Sequence, residues 1–195
     1  MRKALFLSAI IFIGAFSGIS VSAQASMSRV MAEANRRSGD SFPISMRTPR
    51  GAAVYAANRP SAAALNAIDR GLTDLFAVAR KHGYYGKTRH SDYTIFIAKA
   101  DRTTNSAGEH SPDFAIPTAH YAGTIYDQGG FMYVAGLIIA NNPCAFMVAE
   151  HTRDLDRMAN VVRYEGEHLI LYHNDRRRFQ ATADHSRGGS HPILQ

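Results

Sequence analysis

The hydrophobic and polar positions change rhythm three times along the chain. Residues 4–16 (ALFLSAIIFIGAF) are apolar without any period. From Pro60-Ser61 to about Lys81, the apolar residues Leu65, Ile68, Leu72, Leu75, Phe76 and Val78 recur at helical spacing. Ser61 suits the N-cap, and Gly83 with Tyr84-Tyr85 marks the exit, so a helix is predicted over 61–82. The rhythm then turns strand-like. Residues 92–98 (DYTIFIA), 114–117, 120–126, 131–140 (FMYVAGLIIA) and 145–149 are short runs rich in β-branched and aromatic residues. The last of these is expected to pair back on 131–140 across Asn141-Asn142-Pro143, and Asp127 to Gly130 supplies a hairpin turn.

A second helix is predicted over 153–173, with Thr152 as cap and Asp154 and Asp156 in the first turn. Two main helices flanking about four to five strands point to one α+β domain with an antiparallel sheet. Residues 1–25 stand apart as a leader. Residues 26–59 read as a partly helical, then extended, Pro-punctuated segment, and residues 60–195 as the domain with a His-rich tail.

The leader has the form of a secretory signal. Met1-Arg2-Lys3 is cationic, a core of thirteen apolar residues follows, and Ala23-Gln24-Ala25 offers an A-x-A cleavage pattern. That core is short of the roughly twenty residues that span a bilayer, so no stable membrane anchor is expected after cleavage. The expected location is periplasmic or secreted. Loss of Arg2 and Lys3 lowers the net charge from +6 to +4. In an exported protein, that mild excess fits an anionic envelope polymer or small ligand better than nucleic acid. Cys144 is the one cysteine, which excludes an intrachain disulfide, and it reads as a small buried hydrophobe.

Five of the nine histidines fall within the last 45 residues, interleaved with acids. Imidazoles and carboxylates are the groups that ligate divalent metals and move protons near neutral pH. At 100° per residue, Leu155, Met158, Val162, Leu169 and Tyr172 form one apolar stripe with Glu165 near its middle, while Glu167 is expected to point away from the core. Glu165 and His168 are neighbours at i, i+3, a spacing that suits one metal ion, an acid–base pair, or a buried Glu165–arginine bridge beside His168.

His151 ahead of the helix and His185 or His191 after it could complete a zinc site, Glu167 or Glu165 then serving as the carboxylate that activates water. Gly188-Gly189 gives the tail the freedom to fold back. His-Glu-x-x-His is absent, and Tyr164 stands where the first histidine of the inverted motif would be. His90-Ser91-Asp92 has triad residue types, but adjacent strand residues face opposite ways.

Two readings follow. The first is a non-catalytic exported binding module holding an anionic ligand through Tyr121, Tyr126, Arg176 and Arg177. The other is a zinc-dependent hydrolase of the cell envelope built on Glu165, Glu167, His168 and either His151 or His185.

Overall fold

The computed structural model describes residues 21–84, 86, 88–100, 114–117, 122–123, 129–141, 143–151, 153–184 and 189–194. The fold is α+β. In chain order it runs α1 (Val21–Ser38), β1 (Ile44–Arg47), β2 (Ala53–Ala56), α2 (Ala62–Lys81), a 3-10 turn at His90–Asp92 and β3 (Tyr93–Ala98). There follow β4 (Phe114–Pro117), β5 (Phe131–Val134), β6 (Gly136–Asn141), β7 (Cys144–Ala149), α3 (Leu155–Asn174) and α4 (Arg176–Thr182).

The principal sheet has the order β1-β2-β3-β7-β6, and it is mixed rather than antiparallel. Strands β2, β3 and β7 are parallel; β1 and β6 run antiparallel at the two edges. Helix α2 carries the chain back from the end of β2 to the start of β3, a crossover that makes the two strands parallel. All six residues of β3 and all six of β7 are buried, because helices or strands cover both faces.

Alternation along these strands feeds two cores. Tyr93, Ile95, Ile97, Phe146 and Val148 face α2 and α3. Phe96, Ala98, Met147 and Ala149 face the other way, toward Val30 and Ala34 of α1 and toward Phe114, Ile116 and Met132 of the β4–β5 pair. The run 131–140, read as one strand, divides at Ala135 into β5, which pairs with β4, and β6, which pairs with β7. Residues 44–56, within the Pro-punctuated segment, supply β1 and β2.

The two long helices match their predicted spans within two residues. Ser61 Oγ accepts the Ala64 N–H at 3.1 Å, and Asp154 Oδ1 accepts that of Arg157 at 2.8 Å. The cap of the second helix is thus Asp154 rather than Thr152. The helices cross at glycine: a Cβ on Gly71 would strike the Ala159 carbonyl and lie 3.1 Å from Val162 Cβ. Among the described residues no helix is long and apolar enough to cross a membrane.

Candidate functional site

Parallel β2, β3 and β7 end at Ala56, Ala98 and Ala149, and the helices α2 and α3 start just beyond the first and last of them. In sheets of this kind the crevice outside the carboxyl ends of the strands is where ligands bind. A cavity of ≈ 180 Å³ lies there, between the N-terminal turns of the two helices. Asn58, Arg59, Ser61, Glu150 and His151 supply its polar lining, and Ile97, Leu155 and Met158 part of its apolar wall. Glu150 is fixed at both ends: its N–H donates to Ala98 O at 2.8 Å, and its Oε2 accepts from Asn58 Nδ2 at 2.9 Å. His151 is buried, 3% exposed. The N-terminus of α2 brings about half a positive charge to this space, whereas that of α3 is offset by the capping carboxylate of Asp154 and by Asp156.

His151 is therefore a cavity residue. His168 sits thirteen residues into α3, which at 1.5 Å per residue is about 20 Å from the helix start beside His151. The two cannot hold one ion. His185, Tyr121 and Tyr126 lie outside the described residues. Among the described residues no group of three His, Cys, Asp or Glu side chains is placed to hold a metal.

Of the two glutamates of α3, Glu167 departs from the place expected of it, while Glu165 stays against the sheet. Glu167 does not point away from the core: its exposure is 0%, and the C-terminal tail is what covers it. Its Oε1 accepts the Ile193 N–H at 2.8 Å, and its Oε2 lies 2.9 Å from His191 Nδ1. Ile193 joins the core beneath. The tail reverses at Gly189, where a Cβ would come within 2.7 Å of Asp184 O, so the glycine serves the turn as its sequence position suggests. The His191 ring lies 4.7 Å from that of His168 and 4.8 Å from that of Tyr164.

Glu165 is only partly buried by area, and it faces β6. A Cβ on Gly136 would collide with its Cγ and lie 2.7 Å from its Oε1. Among the described residues no arginine or lysine pairs with it. Burial therefore acts unopposed and pushes its pKa up to about 8, from an ordinary 4.5. The folded chain holds this proton more tightly than the unfolded chain does. The resulting stabilisation is full below about pH 4.5 and is lost as pH rises through about 8. Calorimetry between pH 5 and pH 8.5 should show wild type losing stability relative to Glu165→Gln. Parallel profiles for the two would contradict this.

One contact had no sequence signal. Cys144 Sγ, at the start of β7, lies 2.9 Å from His173 Nε2, near the end of α3. Burial, and secondarily the charge of Asp92, push the thiol up to about 12, which disfavours an activated thiolate. Arg176 and Arg177 are exposed on α4. The Arg176 guanidinium stacks on the Tyr172 ring, 3.5 Å from its centroid. Neighbouring Arg178 donates to Tyr84 Oη at 3.2 Å.

Comparison with protein-family models, curated proteins and solved structures finds no match to this chain.

Proposed function

We propose that the protein is an exported, non-catalytic binding module for a small anionic ligand or the anionic end of an envelope polymer. The ligand sits in the cavity at the carboxyl ends of β2, β3 and β7. One observation carries the reading: the N-terminus of α2, Arg59 and buried His151 converge on that cavity, where the Glu150 carboxylate is taken up by Asn58. N–H groups at a helix start and a guanidinium both favour negative charge. The cavity is slightly larger than the roughly 150 Å³ that holds a benzene-sized molecule, which limits the bound part to a few non-hydrogen atoms. The leader with its A-x-A pattern supports export, and the net positive charge supports an anionic partner.

Arg176 and Arg177 are the weaker seat. The first is already stacked on Tyr172, and both stand on an open helix surface. The hydrolase reading would need a cleft at Glu165 and His168, whereas the cavity described here opens at the other end of α3.

Isothermal titration of the full chain with inorganic phosphate and with acetate, at low ionic strength, tests the proposal. Saturable binding of one anion per chain is expected. Arg59→Gln should weaken it about 10-fold to 100-fold, the worth of one charge-assisted hydrogen bond. Binding that Arg59→Gln leaves unchanged, or no binding of either anion at millimolar concentration, would contradict the proposal.

A further inference from the structure

We infer that His168 and His191 form a transition-metal site, separate from the cavity, in which Glu167 orients His191 and the bound ion fastens the C-terminal tail to α3. A histidine that ligates a metal characteristically gives its other ring N–H to a carboxylate, which fixes the tautomer and raises the basicity of the ligating nitrogen. His191 stands in that relation to Glu167, with Nδ1 2.9 Å from Oε2 of a carboxylate that is 0% exposed. A donated Nδ1–H puts the lone pair on Nε2.

The second imidazole is already close. Two histidines on one tetrahedral zinc, with Zn–N near 2.0–2.1 Å, have ring centroids about 5 Å apart. The His168 and His191 rings are 4.7 Å apart and inclined at 45°. That separation is within a few tenths of an ångström of the one a shared ion requires. Nitrogen donors select zinc, cobalt, nickel or copper over magnesium or calcium.

The surroundings fit an ion with open positions. Four side chains from two segments meet here: Tyr164, Glu167 and His168 from α3, and His191 from the tail. Tyr164 is 37% exposed and the His191 side chain 14%, so solvent reaches this side of the cluster and water completes the coordination. Behind the imidazoles stands the Glu167 carboxylate, whose charge a dication offsets. Two protein donors are fewer than the three or four of a structural zinc site, so binding is reversible and weaker than in such a site.

The test uses the untagged full chain, stripped with chelator and then titrated with Zn²⁺ by calorimetry and with Co²⁺ by visible absorption. One ion per chain is expected. His168→Ala and His191→Ala should each abolish binding, Glu167→Gln should weaken it about 10-fold to 100-fold, and His151→Ala, at the far end of α3, should leave it intact. Titration of the wild type followed by nuclear magnetic resonance needs no variant. Co²⁺ should shift the ring protons of His168 and His191 before those of any other described histidine. No bound ion in the wild type would overturn the assignment. So would binding that survives His191→Ala, or first shifts at His151 or His173.

Discussion

Glu167→Ala, measured in the presence of chelator, is expected to lower the thermal midpoint by about 6–12 °C. The substitution takes the acceptor from two groups at once, the Ile193 N–H at 2.8 Å and His191 Nδ1 at 2.9 Å. A buried donor left without its partner costs about 1–3 kcal/mol, and Ile193 also loses the anchor that holds it in the core. A total near 3 kcal/mol, at about 2–4 °C per kcal/mol for a chain of this length, gives the quoted range. Glu167→Gln keeps one carbonyl acceptor and should cost less. Removing residues 189–195 should cost about as much as Glu167→Ala, and the two losses should not add, since both undo one contact. Additive losses, or a midpoint unchanged by Glu167→Ala, would show that the carboxylate does not hold the tail.

Gly71→Ala is expected to cost about 2 kcal/mol or more, although alanine is favoured over glycine inside a helix by about 1 kcal/mol. The new Cβ would meet the backbone carbonyl of Ala159, with Ala159 C and Val162 Cβ each at 3.1 Å. Backbone cannot rotate aside, so α2 and α3 would have to separate along a shared core. Gly166→Ala provides the contrast. Its Cβ would meet Leu75 Cδ2 at 2.7 Å, the end of a side chain that has other rotamers. The loss there should be smaller. A midpoint in Gly71→Ala equal to or above wild type would mean that the crossing is looser than described.

The two long helices were legible because each carries a sustained apolar period and a capping residue. The buried runs YTIFIA and CAFMVA were legible as strands, but their pairing direction was not. Direction depends on which element returns the chain, and the four-residue strand β2, in an alanine-rich stretch ahead of Pro60, gave little sign that α2 is a crossover. The runs themselves held a clue: strands apolar at nearly every position fit a sheet covered on both faces better than an open antiparallel one.

The cavity was hidden for the same reason. Asn58-Arg59-Pro60-Ser61 and Glu150-His151 each join a strand end to a helix cap. They become neighbours only once β2 and β7 are known to be parallel.

On α3 the helical wheel failed because it assumes one buried face. This helix touches the sheet, α2 and the returning tail, so burial extends over all of residues 166–171. Glu167 is buried by residues that follow it by 24 and 26 positions, a relation no local period encodes. The Cys144–His173 contact spans 29 positions and is equally silent. The glycine before the tail did mark its return.

The most direct test of the account is a map of backbone amide shifts as inorganic phosphate is titrated into ¹⁵N-labelled protein. Saturable shifts concentrated at Asn58, Arg59, Ser61 to Ala64, Glu150 and His151 are predicted, with α4 unmoved. Shifts confined to Arg176, Arg177 and Arg178, or no saturable shift anywhere, would contradict a ligand site at the carboxyl ends of the parallel strands.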